Sequence, residues 1–253
     1  MRIPRLHVEQ TLIEHSVVVL SQQASHYLCK VLRVKAGREL VLFNGVLTDA
    51  GSTGEYRATL TEANKKAAVV KIENFIASQV ESNLTLELAC CIIKNDRMDW
   101  LLQKATELGV TVISPLLSEH TDVKMSVERM GKKQLHWRQT VISACEQSGR
   151  TQVPVVNSPV PISEWLMQDT SDNKYVLHPH DSTAFVFGNS CSQAKLTKVA
   201  LLVGPEGGLS DDEVAIAHRH QFKSIRLGPR ILRAETAPLV ALAIIQSQLG
   251  DLS

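Results

Sequence analysis

Aromatic side chains are scarce, with Phe, Trp and Tyr together making up 4% of 253 residues. The core is therefore expected to be aliphatic. Cysteines number five, and none of Cys29, Cys90, Cys91, Cys145 and Cys191 stands in a CxxC pair or a Cys/His cluster of zinc spacing. They read instead as small buried apolar residues of a reducing compartment. No GxxxxGK[ST] or GxGxxG pattern occurs, so ATP and NAD sites have no support. The longest apolar stretch, Ala237–Ile245, is far shorter than the roughly 20 residues that span a bilayer. The opening Met1-Arg2-Ile3-Pro4-Arg5 leads into no apolar h-region, so a cytoplasmic location is expected and no membrane contact.

What is present is ordinary for a soluble globular protein: 44% hydrophobic and 21% charged residues. The length suits one large domain or two smaller ones. The net charge is only +1 but is unevenly placed. Lys and Arg exceed Asp and Glu over the first 76 residues, and the reverse holds beyond them. A basic front segment suits contact with phosphates, although a solvated face has the same composition.

The rhythm of the chain divides it. Short strand-like runs at Val17–Leu20, Glu39–Phe43, Tyr56–Leu60 and Ala67–Ile72 are cut by Asn44-Gly45 and Gly51-Ser52-Thr53-Gly54. Their spacing predicts a small β-barrel over residues 1–75, interrupted by a helix over Ser25–Arg33. From Leu84 onward strands and helices alternate, the mark of an α/β domain with a parallel sheet, assigned to residues 76–253. Val110–Ile113 reads as a strand ended by Pro115, and residues 126–148 as a helix.

The last third carries the chemistry. Three turns each follow an apolar run: Leu177-His178-Pro179, Gly204-Pro205-Glu206-Gly207-Gly208 and Leu227-Gly228-Pro229-Arg230. In a parallel sheet, ligands bind beyond the carboxyl ends of the strands, so these turns are expected to wall one pocket. Ser210 and Glu213 form a capping box after the second turn. The acidic residues Asp211, Asp212 and Glu213 would repel a phosphate at that helix end. Thr236 is the expected cap of the closing helix, with Pro238 in its first turn.

Val203–Gly208 and Leu227–Ala237 closely resemble the two signature loops of the ribosomal RNA small-subunit methyltransferase E family, within the SPOUT superfamily of knotted methyltransferases. The resemblance covers nearly the whole chain, including His26–Arg33, Lys104–Val110 and Cys145–Arg150. It implies a PUA-like RNA-binding barrel followed by a trefoil-knotted α/β domain. It also implies a homodimer that transfers methyl from S-adenosylmethionine to N3 of a uridine in 16S rRNA of the small ribosomal subunit, without a metal. The cofactor would be held by Leu177, His178, Leu202, Val203, Gly204, Pro205, Glu206, Gly207, Leu227, Gly228, Ile231, Leu232 and Ala237. Arg233 would stabilise negative charge on the uracil, and Glu206 or Glu235 would take the N3 proton. Arg2, Arg5, Lys30, Arg33, Lys35 and Arg38 are the candidates for the RNA backbone.

Two other readings compete. His178-Pro179-His180-Asp181 has the look of a metallohydrolase ligand set, but no second His/Asp cluster completes it. An RNA-binding protein without catalysis is the alternative from outside enzymology, and intact cofactor loops speak against it.

Overall fold

The computed structural model describes residues 3–46, 53–121, 126–178 and 198–252. It contains two compact units, Met1–Glu81 with Cys145–Val153, and Ser82–Ala144 with Pro154–Ser253.

The first unit is a five-stranded sheet. Its strands are β1 (Arg5–His7), β2 (Val17–Val19), β3 (Glu39–Phe43), β4 (Gly54–Glu62) and β5 (Val69–Ala77), in the order β1-β3-β4-β5-β2. The pairs are antiparallel except β1 with β3. Alternate residues Leu40, Leu42, Ala58, Leu60, Val70 and Ile72 point inward and join Leu6, Leu20 and Leu28 in one aliphatic core. The expected barrel is a half-barrel, with β1 and β2 ending the path of strand pairing. The predicted helix is a short α1 (Gln22–His26) running into a π-helical turn, Tyr27–Val31. Ser21 caps its start by accepting from the Ala24 N–H.

Residues 145–153 complete this unit through charge. Glu81 Oε2 accepts from Arg150 Nε at 2.9 Å, and Glu81 Oε1 from the N–H groups of Thr151 and Gln152 at 2.8 and 3.0 Å. Arg5 donates to Glu55 at 3.0 Å and to the carbonyls of Cys145 and Gly149 at 2.9 and 3.1 Å. Its guanidinium also lies 4.9 Å from the centre of the Phe43 ring.

Glu146 accepts from the His7 N–H at 3.1 Å. Burial pushes its carboxyl above the usual 4.5, against the opposing pull of that N–H and of Arg5. A raised carboxyl binds its proton more tightly in the folded than in the unfolded state. Its contribution to stability is thus present in acid and is lost as pH rises past the ordinary carboxylate range. Glu146→Gln keeps the acceptor and removes the charge. In urea titrations across pH 4 to 8, this variant is expected to gain stability relative to wild type as pH rises. A constant difference across that range would refute the assignment.

The second unit is an all-parallel sheet in the order β12-β10-β11-β6-β7-β8, with β9 pairing β7 beyond β8. Its strands are β6 (Thr85–Cys91), β7 (Val112–Leu117), β8 (Val155–Val156), β9 (Val160–Pro161), β10 (Asn173–Leu177), β11 (Lys198–Val203) and β12 (Lys223–Ile225). The helices are α2 (Asn95–Glu107), α3 (Val127–Ser148, whose final turn belongs to the first unit), α4 (Ile162–Gln168), α5 (Asp211–Arg219) and α6 (Thr236–Leu249). Val199 to Leu202 in the central β11 are completely buried, as a strand covered on both faces requires. Glu87 is buried in β6 beside it, where its Oε1 accepts from Ser114 Oγ at 2.6 Å and Trp165 Nε1 at 2.8 Å.

Two expectations change. Pro115 does not end β7 but lies inside it, opposite Cys90. On the other side of β7, β8 pairs Val112 and Ile113, and β9 pairs Leu116 and Leu117. The missing N–H of Pro115 thus falls where neither short strand is paired, a position a central-strand proline needs. At α6, Glu235 holds the N-cap position, without a side-chain cap bond, and Thr236 is already the first helical residue. Among the described residues no helix is long and apolar enough to cross a membrane. The chain path that would tie the expected trefoil knot includes residues 179–197, which lie outside the described residues.

Candidate functional site

Because β10, β11 and β12 are adjacent and parallel, their carboxyl ends emerge at one edge of the sheet. The chain turns away there at His178, at Gly204–Gly208 and at Leu227–Arg230. Together with Ile231, Leu232, Ala234 and Ala237, these segments surround a cavity of about 360 Å³, within the size range of small-molecule sites. The lining mixes aliphatic side chains with exposed backbone.

The Gly204–Gly208 loop is closed by its own backbone. Gly208 N–H donates to the Pro205 carbonyl at 2.9 Å, and Gly208 takes φ +75°, a conformation glycine adopts without strain. The capping box expected at α5 is present: Ser210 Oγ accepts from the Glu213 N–H, and Glu213 Oε2 from the Ser210 N–H at 2.9 Å. Glu213 Oε1 also accepts from the Glu119 N–H at 2.9 Å, while His120 Nδ1 lies 3.2 Å from the Gly208 carbonyl oxygen. The segment following β7 thereby braces the loop, a role the sequence did not signal.

Of the cofactor candidates, Leu177, His178, Val203, Gly204, Pro205, Glu206, Gly207, Leu227, Gly228, Ile231, Leu232 and Ala237 line the cavity. Leu202 does not. Strand alternation turns it into the apolar cluster with Ala89, Trp165 and Val176. Gly208, Leu209, Ile225, Arg226, Pro229, Arg230 and Ala234 line it as well. Among the acid–base candidates, Glu206 is in the wall, whereas Glu235 and Arg233 lie outside it. Glu206 Oε1 is 3.5 Å from Arg97 Nη1, and Glu235 Oε1 is 3.7 Å from Arg97 Nε. Arg233 is exposed and has no ion-pair partner among the described residues.

In the first unit, Lys30, Arg33, Lys35 and Arg38 are all exposed, and none has an acidic partner among the described residues. Tyr27, Val31 and Leu32 of the same stretch of chain are exposed as well. Arg5 is engaged internally, as described above, and Arg2 lies outside the described residues. Pro179, His180 and Asp181 of the candidate metal set also lie outside them. Among the described residues no three His, Cys, Asp or Glu side chains cluster to hold a metal. Cys90 and Cys145 are buried and their thiols are pushed up to about 12 by that burial, which leaves them poor nucleophiles at neutral pH.

The fold and the cavity define an RNA methyltransferase. A model of the RNA methyltransferase domain matches residues 80–246, and one of the RNA methyltransferase PUA domain matches residues 20–73. Ribosomal RNA small subunit methyltransferase E of Buchnera aphidicola subsp. Schizaphis graminum is 35% identical over 253 residues, covering 100% of this chain and 99% of the relative. The enzyme of the same description from Rickettsia conorii is 32% identical over 97% of this chain and 96% of its own length. A methyltransferase structure from Legionella pneumophila, in complex with the cofactor SAM, superposes with a TM-score of 0.91 at 36% identity. Ribosomal RNA small subunit methyltransferase E from Neisseria gonorrhoeae, bound to S-adenosyl methionine, gives 0.89 at 35%. Both comparisons cover 100% of each chain. The chain belongs to the ribosomal RNA small subunit methyltransferase E family.

Proposed function

We propose that this protein methylates N3 of one uridine in 16S rRNA, using S-adenosylmethionine held in the cavity beyond β10, β11 and β12. The observation that carries the proposal is the convergence of three strand ends on one cavity walled by the two signature loops. The residues fit this cofactor. The Gly204–Gly208 turn is neutral apart from Glu206 and opens onto an acidic helix start, which suits a zwitterion without phosphate. Aliphatic side chains of Val203, Leu227 and Leu232 offer flat apolar contact for an adenine. When bound, S-adenosylmethionine supplies an electrophilic methyl group on a sulfonium.

The protein's part is alignment and charge management. The uridine must lose its N3 proton, and negative charge grows on the flanking carbonyl oxygens. Glu206, which lines the cavity, is assigned the proton. Arg233, without a carboxylate partner, is assigned the developing anion. Glu235 is assigned a supporting role behind the loop.

The residue 1–75 portion is assigned to RNA, and residues 76–253 to methyl transfer. Exposed Lys30, Arg33, Lys35 and Arg38, without acidic partners among the described residues, and the exposed Tyr27 nearby in the chain offer both phosphate contacts and a stacking ring. Arg33→Ala with Lys35→Ala is expected to weaken RNA binding about tenfold and to flatten its dependence on salt by on the order of one to two released ions. Cofactor affinity should not change. A parallel loss of both affinities would point to misfolding rather than to an RNA face.

The decisive test is transfer of labelled methyl to small ribosomal subunits lacking the modification, with the product nucleoside mapped. Label in 3-methyluridine of 16S rRNA is expected. Label on another atom or another RNA would overturn the assignment. The same reading carries a homodimer acting in the cytoplasm, checked by light scattering of the purified chain.

A further inference from the structure

Arg97 sits at a helix start that breaks two rules of helix construction. It lies in the first turn of α2, where the positive end of the helix dipole disfavours a cation. The preceding N-cap position is held by Lys94, which makes no capping hydrogen bond. Local departures of this kind usually serve a site elsewhere in the fold. Glu235 departs in a matching way. It occupies the N-cap position of α6, yet its carboxylate does not cap the helix. Its side chain is only 12% exposed, and its Oε2 is buried with no hydrogen-bond partner among the described residues.

The two departures meet. One guanidinium stands within ion-pair distance of Glu206 in the first signature loop and of Glu235 at the end of the second. Both separations exceed the ordinary hydrogen-bond length of about 2.9 Å, so the contacts have room to tighten. Arg97 itself lines no part of the cavity.

We infer that Arg97 is a positioning residue: it ties the two signature loops together behind the cavity and orients Glu206 toward the substrate. The inference rests on the reading of this cavity as the cofactor site. Two carboxylates facing one cation are attracted to it, and without it they repel each other across the gap between the loops. The fork of an arginine serves two carboxylates at once, where a lysine is a point charge. The tie therefore acts on cofactor affinity through loop spacing and on turnover through the direction of Glu206.

The test uses the full chain and three variants, Arg97→Ala, Arg97→Lys and Arg97→Ala/Glu206→Gln. S-adenosylmethionine affinity is measured by calorimetry, and methyl transfer to small subunits by single turnover. Arg97→Ala should weaken cofactor binding about tenfold and slow transfer further, and Arg97→Lys should recover part of both. In the double variant, loss of one repelling charge should restore cofactor affinity toward wild type while transfer stays low. A merely structural arginine predicts no recovery, with the double variant binding no better than Arg97→Ala. That result, or Arg97→Ala within twofold of wild type in both measurements, overturns the inference. Failure of the wild-type chain to bind the cofactor at all would instead sink the cofactor site, and the tie with it.

Discussion

Arg233→Ala is expected to slow methyl transfer about 10²- to 10³-fold, the usual cost of removing one group that stabilises a developing anion. Affinity for S-adenosylmethionine should stay within twofold of wild type. The separation follows from how the residue is held. Its backbone carbonyl accepts from the N–H groups of Thr236 and Ala237, each at 2.9 Å, which anchors the loop to the head of α6. That anchor survives truncation of the side chain. The guanidinium is exposed and unpaired among the described residues, so its loss strands no buried partner. Single-turnover assays at saturating cofactor isolate the chemical step. Wild-type rates in this variant would move anion stabilisation to another donor, and a parallel loss of cofactor affinity would reassign Arg233 to the cofactor.

Gly204→Ala should abolish cofactor binding in practical terms, weakening it by about 100-fold or more, on the order of 3 kcal/mol. An added Cβ would lie 2.9 Å from Leu209 N, 3.0 Å from Leu209 Cγ and 3.1 Å from the Gly208 carbonyl carbon. Two of these atoms are backbone, and neither is free to retreat. Gly208 is tied back to Pro205, and Leu209 leads directly into the Ser210–Glu213 capping box. The loop has to open to admit the methyl group, and the cavity wall opens with it. Gly208→Ala is a useful contrast. Its Cβ meets nothing within 4 Å, and only the cost of a positive φ, about 1–2 kcal/mol, applies. Normal calorimetric binding by Gly204→Ala, with an unchanged circular dichroism spectrum, would show that the cofactor does not use this loop.

The cavity was legible in the sequence because its parts are local. An apolar run followed by a Gly/Pro turn identifies a strand end, and parallel packing brings such ends to one edge. The capping box of α5 was legible for the same reason, since Ser210 and Glu213 are three residues apart. Features formed across long sequence separations left no such mark. Arg5 reads as a cation for phosphate until Glu55 and the carbonyls of residues 145 and 149 are seen around it. Arg97 reads as one basic residue in a polar segment, and nothing in its neighbours indicates Glu206 or Glu235. The strand β1 is three residues long, too short for a period-two pattern to register. Leu202 stands next to Val203 in the segment that carries the family resemblance, yet the alternation of side chains along β11 sends its side chain into the apolar cluster rather than the cavity, a direction the motif alone does not reveal.

The return of residues 145–153 to the amino-terminal half-barrel has a consequence for synthesis. Chains emerge from the ribosome amino-terminus first, and domains generally fold as they emerge. Here the clamp for Glu81 and most of the hydrogen bonds donated by the Arg5 side chain arrive only when Arg150 and its neighbours do. The nascent half-barrel must wait, incompletely buttoned, while much of the second unit is translated. A gene fragment stopped at residue 81 would leave it in that state permanently.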